Sequence, residues 1–215
     1  MLKLDQNAAR AADNKSAYIE REGKYIGAFV RAEYMDKQST GSKGIGLTFK
    51  STDGAEAQFY INLSYQHGTK NEGGHSLASA IMACLRINGC ADPSPITFER
   101  WDKDAGQRIK VTALGFPELM NSPIGILIQM EIEKNSEKGD PRPALYAPFE
   151  ASTEKTASEV LDKERCREPA KLEKMMDSII RKPIVDKRPK GAQSQQHDNN
   201  DYGPLPDDHS QDIPF

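Results

Sequence analysis

Hydrophobic and polar positions alternate along the first half of the chain with a period of two, which predicts strands. In 24–34, Ile26, Ala28, Val30 and Ala32 fall on one face, and Tyr25, Gly27, Phe29, Arg31 and Glu33 on the other. The aliphatic set is expected to face a core, which leaves Tyr25, Phe29 and Arg31 on an accessible face. Ile45, Leu47 and Phe49 alternate with Gly46, Thr48 and Lys50. Ala57, Phe59, Ile61 and Leu63 alternate with Gln58, Tyr60, Asn62 and Ser64. A polar loop at 36–43 and an Asp53-Gly54 turn separate these runs, so a three-strand meander is expected. The period then changes. Leu77, Ala80, Ile81, Cys84 and Leu85 recur at helical spacing, predicting a helix over 76–87 with Ser76 as N-cap and Gly89 as stop. Residues 96–101 and 107–114 read as a hairpin, with Ile109, Val111 and Ala113 inward and Arg108 and Lys110 outward. A further strand is expected over 124–132. Pro141, Pro143 and Pro148 then mark a crossing segment, and 152–163 and 169–181 read as helices.

Beyond Pro183 the periodicity stops, and Lys, Pro, Gly, Gln, Asn and Asp dominate. Residues 183–206 are therefore expected to be a disordered linker reaching on the order of 25 Å. The expected division is an N-terminal extension at 1–22, a binding domain at 23–150, a helical extension at 151–182, the linker at 183–206 and an acidic tip at 207–215. The charge is divided in the same way. The chain carries 29 Lys+Arg and 32 Asp+Glu, but 191–215 hold five of the acids and no Lys or Arg. Residues 1–190 thus carry 29 basic against 27 acidic side chains, a mildly basic body behind an acidic tail.

Several chemistries find no support. The four histidines are scattered, there is no GxxxxGK[ST], and Cys84, Cys90 and Cys166 lack zinc-pair spacing. Glu131 and Glu133 share a strand face, where a nuclease could hold a metal, but a solvated face is the commoner use. No enzyme activity, cofactor or metal is expected. No run approaches the ~20 apolar residues of a membrane span, and residues 1–5 lack a signal-peptide core. A cytoplasmic protein with reduced thiols and no membrane partner is expected.

The last stretch, Asp207-Asp208-His209-Ser210-Gln211-Asp212-Ile213-Pro214-Phe215, is built as a recognition hook. Acids supply long-range attraction, Pro214 restricts the backbone, and Phe215 can fill an apolar pocket beside its own carboxylate. Asp212-Ile213-Pro214-Phe215 closely resembles the tip of the bacterial single-stranded DNA-binding (SSB) family, although Ser210 and Gln211 interrupt its acidic run. The resemblance implies that Asp207, Asp208, Asp212, Ile213, Pro214 and Phe215 recruit host replication, repair and recombination proteins.

The body, through 24–65 and the helix after Gly73-Gly74, resembles the OB-fold single-stranded DNA-binding proteins of bacteriophages. It lacks the N-terminal strand signature of the bacterial housekeeping SSB, so its oligomeric state stays open. The expected fold is mainly β (α+β): an OB-fold-like, five- to six-stranded Greek-key barrel with one inserted helix, C-terminal helices and a disordered acidic tail. A single strand is bound by aromatic faces beside a basic track. The candidates are Tyr25, Phe29, Arg31, Lys50 and Tyr60 on the strands and Lys37, Lys43 and Lys70 in the loops. Trp101, Lys103, Arg108 and Lys110 stand on the hairpin. The leading expectation is a non-enzymatic protein that coats single-stranded DNA in phage replication or recombination, in the host cytoplasm. Two alternatives are an adaptor that mimics the SSB tip without binding DNA, and a strand-annealing recombination protein.

Overall fold

Strand β1, Gly23–Lys37, is long enough to serve three neighbours. A computed structural model of the chain describes residues 18–37, 41–162 and 169–189. One edge of β1 pairs antiparallel with β2, Ser42–Ser51, which pairs with β3, Glu56–Ser64. Along its first five residues β1 also pairs with β6, Ile124–Ile132, and farther on Glu33 meets Gly115 of β5, Gln107–Gly115. β4, Ser94–Asp102, forms the outer strand of the β4–β5 hairpin. β7, Arg142–Phe149, pairs with β6, and β8, Ile184–Asp186, joins β6 in parallel at Met130–Ile132. The protein is mainly β, an eight-stranded sheet with three α-helices among the described residues: α1, Glu72–Cys84; α2, Ala157–Leu161; and α3, Lys171–Arg181.

The expected face assignment of β1 is corrected. Phe29 is fully buried, Tyr25 packs against the core, and Ile26 is exposed. The cause is a bulge. Phe29 pairs with Phe49 but Arg31 already pairs with Thr48, so Val30 is an extra residue. A bulge inverts the parity of the side chains that follow it. Odd positions face inward before Val30, and Ala32 faces inward after it. Phe29 and Phe49 meet edge to face with centroids 5.8 Å apart, in a core that also takes Leu47, Phe59, Ile61 and Ile81.

Two strands exceed the five or six expected. β7 occupies the segment whose prolines suggested a crossing. It pairs only with β6, and an edge strand tolerates proline because one row of its amides needs no ladder partner. β8 lies inside the expected linker, so Ile184–Asp186 belongs to the body. The expected N-terminal extension also ends early, because Ile19 is 3% exposed and its amide donates to the Glu56 carbonyl. The expectations for 1–17, the 38–40 loop and 190–215, including the rest of the linker and the whole tip, lie outside the described residues.

α1 starts earlier than its apolar spacing suggests. Asn71, not Ser76, is the N-cap, its side chain accepting from the Gly74 amide at 3.3 Å. Glycines disfavour a helix locally, but a Cβ on Gly74 would lie 1.8 Å from the Asn62 carbonyl oxygen, so close packing on β3 demands one there. The helix expected over 152–163 is only Ala157–Leu161. α3 keeps the expected face: Leu172 and Ile179 bury against Leu127 and Phe149, with Met175 and Met176 beside them. β6 is therefore covered on both faces, with Ile124, Ile126 and Ile128 in the main core and Leu127 in this second one. Cys84 is buried in the main core, where burial, and secondarily Glu150, push its thiol up to about 12. No helix among the described residues is long and apolar enough to cross a membrane.

Glu159 joins the two C-terminal helices. It completes a capping box with Thr156, and its other oxygen accepts from the Ala170 and Lys171 amides at 2.9 and 3.0 Å. Burial alone raises its carboxyl, but the amides of Ala170, Thr156 and Lys171 and the Thr156 hydroxyl outweigh it and bring it from 4.5 to about 2. A depressed carboxyl stabilises the fold fully above its unfolded value and loses that contribution as pH falls through the folded one. Urea unfolding between pH 5 and about 2 should show stability falling with pH, and Glu159→Gln should flatten that slope. Phe29→Ala should lose about 3–5 kcal/mol in the same assay at neutral pH.

Candidate nucleic-acid interface

The β1–β2–β3 meander presents one outward face. After the bulge, Arg31, Glu33 and Met35 of β1 share it with Gly44, Gly46, Thr48 and Lys50 of β2. The register adds Asn62, Tyr60, Gln58 and Glu56 of β3 opposite the last four. Tyr60 is 45% exposed, and burial of the rest raises its phenol above the ordinary value. Gly44 makes room for its ring: a Cβ there would lie 2.5 Å from the Tyr60 ring and from the Ile61 carbonyl oxygen.

The β4–β5 hairpin bends back over this region. In the sheet path β3-β2-β1-β5-β4, β5 is separated from β3 by two strands. Nevertheless, the two Arg108 terminal nitrogens donate to the two Glu56 carboxylate oxygens at 3.0 and 2.7 Å. Nearer the hairpin base, the Arg31 guanidinium lies 5.0 Å from the centroid of the Phe98 ring. Two contacts through arginine thus tie the hairpin to β1 and β3. Phe98 and Ile96 are buried on its inner side, while Trp101 is 57% exposed. Trp101 pairs with Arg108, and Glu99 with Lys110, so these four side chains share the outer side. Pro95, Glu99, Arg100 and Asp102 keep the β4 edge from pairing with another strand.

The sequence-derived candidates separate accordingly. Phe29 is a core residue and is withdrawn. Tyr25 is half-buried, its hydroxyl donating to the Arg21 carbonyl at 3.0 Å. Arg31 is engaged by Glu33 and Phe98. Lys43 lies 3.8 Å from Asp36, Lys50 3.8 Å from Glu56, and Lys70 3.0 Å from Glu72. Such exposed or half-exposed pairs contribute on the order of 1 kcal/mol or less and exchange readily. Lys103 and Lys110 are exposed on the hairpin. Lys37 belongs to β1 by its backbone, and its side chain lies outside the description. The structure therefore gathers Trp101, Lys103, Arg108 and Lys110 on one hairpin, and Arg31, Lys50 and Tyr60 on the neighbouring face.

Sequence reasoning missed Glu56 and the cleft it borders. A cleft of about 920 Å³ lies along the β3 edge, toward the start of β7. Glu20, Glu22, Glu56 and Glu133 line it together with Arg31 and Arg142, so it is acidic overall. No sequence signal pointed to it, because its walls come from segments more than 100 residues apart. Glu131, weighed as a metal ligand, forms an ion pair with Lys187 at 2.5 Å. Comparison with known protein families and with curated proteins finds no match to this chain.

Gly44→Ala should destabilise the fold by about 1–3 kcal/mol, because backbone as well as the Tyr60 ring must shift. A thermal melt measures the loss, and the Tyr60 ring resonances should move in the same variant.

Proposed function

We propose that this protein binds single-stranded DNA without enzymatic chemistry, coating it during phage replication or recombination in the host cytoplasm. In the same reading, 207–215 recruits host replication, repair and recombination proteins. One observation carries the DNA reading: exposed Trp101 stands beside Arg108 and Lys110 on one side of a hairpin. An exposed indole offers a face on which any base can stack, and adjacent cations meet the phosphates on either side. Lys50 on the neighbouring β2 extends the track, and Tyr60, at the margin of the acidic cleft, offers a second ring for stacking. A three-strand meander, a helix after its third strand, and later strands returning to β1 support an OB-fold-type scaffold. The SSB-like sequence Asp212-Ile213-Pro214-Phe215 supports the recruiting role.

A second reading, the adaptor without DNA affinity, is favoured by the acidic cleft, which repels phosphate. A titration of fluorescein-labelled oligo(dT) with the full chain separates the two. The DNA reading gives sequence-tolerant binding that weakens steeply with salt, since each neutralised phosphate releases counterions. Trp101→Ala should weaken it by ~1–3 kcal/mol, the usual worth of one stacked base. No binding, a flat salt response, or preference for duplex overturns the DNA reading. Capture of SSB-tip receptors that is lost on Phe215→Ala, in a protein that ignores oligo(dT), establishes the adaptor.

A further inference from the structure

We propose that the Arg108–Glu56 pair is a latch that nucleic-acid phosphate opens, so that the strand takes Arg108 from Glu56 and frees the hairpin that carries Trp101. The inference rests on the single-stranded DNA reading and assigns a control to that site.

Both Glu56 oxygens accept from both terminal nitrogens of Arg108, so the carboxylate occupies the same fork that a phosphate would. Two anions cannot hold that fork at once, and binding there must proceed by exchange. The two partners differ in what exchange costs them. Glu56 keeps a cation when Arg108 leaves, because Lys50 Nζ stands 3.8 Å from the same carboxylate. It also stays in place, since its carbonyl accepts from the Ile19 amide at 2.9 Å and its side chain is largely buried. Arg108 is the more exposed partner, with 42% of its side chain accessible.

Topology then converts a local exchange into movement. The hairpin's ladder to the rest of the sheet is a single register position, Glu33 with Gly115, at its base. Toward the tip, the Arg108 contact is what reaches across to β3. Breaking it leaves the base anchored by Gly115, by the Phe116 amide on the Ala32 carbonyl and by Phe98 on Arg31, and removes this hold on the outer half. Trp101 pairs with Arg108 across the hairpin and moves with it. Glu56 also lines the acidic cleft, so the latch ties the hairpin to a wall of that cleft.

The test uses the full chain, with Trp101 as reporter because it is the only tryptophan. Glu56→Gln keeps the shape of the side chain and removes its charge. It should raise acrylamide quenching of Trp101 in the absence of DNA and tighten oligo(dT) binding several-fold at low salt. Its plot of log affinity against log salt should be no shallower than that of the wild type, because Arg108 meets the strand in both proteins. Arg108→Gln should raise quenching equally but weaken binding and make the salt plot shallower. This second variant alters an exposed side chain and keeps the test valid if Glu56→Gln does not fold. Wild-type binding that neither variant changes, with quenching unaltered, overturns the latch alone. Failure of the wild type and both variants to bind oligo(dT) overturns the DNA reading and the latch with it.

Discussion

One extra residue in β1 sets the geometry on which the rest of the molecule depends. β1 must pair with β2 on one edge while dividing its other edge between β6 and β5. A regular strand would keep one parity throughout and send either Phe29 or Ala32 to the wrong side. The bulge at Val30 lets Phe29 close the core against Phe49 and lets Ala32 join the same core. It also turns Arg31 outward, where the guanidinium meets Phe98 and fixes the base of the β4–β5 hairpin. Core closure and hairpin placement are consequences of the same backbone irregularity.

What the sequence made legible follows from this. The meander, the hairpin, the β6 strand and the apolar side of α3 all have strong local periodicity, and all are present. The misassigned face of β1 could not be read locally, because an inserted residue leaves alternation intact on both sides of itself. β7 was hidden by prolines that an edge strand tolerates. β8 has three residues and exists only through pairing with a strand more than 50 residues away. The start of α1 was displaced because Gly74 answers to contact with Asn62 rather than to helix propensity. On the hairpin, strand parity placed Arg108 and Lys110 on one face, as the register does. The partner that governs Arg108 was invisible, because Glu56 lies 52 positions away and on another strand.

The distribution of charge sets how a polyanion would be bound under the proposed function. Arg31, Lys43, Lys50, Lys70 and Arg108 each have a carboxylate within reach. Such a surface has little net field to attract DNA at long range, and in the proposed function its phosphate contacts would form by replacing acids already in place. Binding of this kind is reversible and salt-sensitive. The exposed indole would supply the part of the proposed interaction that salt does not screen.

The central claim is that a single strand lies on the β4–β5 hairpin and the neighbouring face of β3. Ultraviolet cross-linking of oligo(dT) to the full chain, followed by peptide mass spectrometry, tests it most directly. The account predicts thymine adducts on Trp101 and on peptides from Ser94–Asp102, Gln107–Gly115 and the Tyr60 region of β3. Adducts confined to α3, β7 or β8, or a complete absence of adducts, would contradict it.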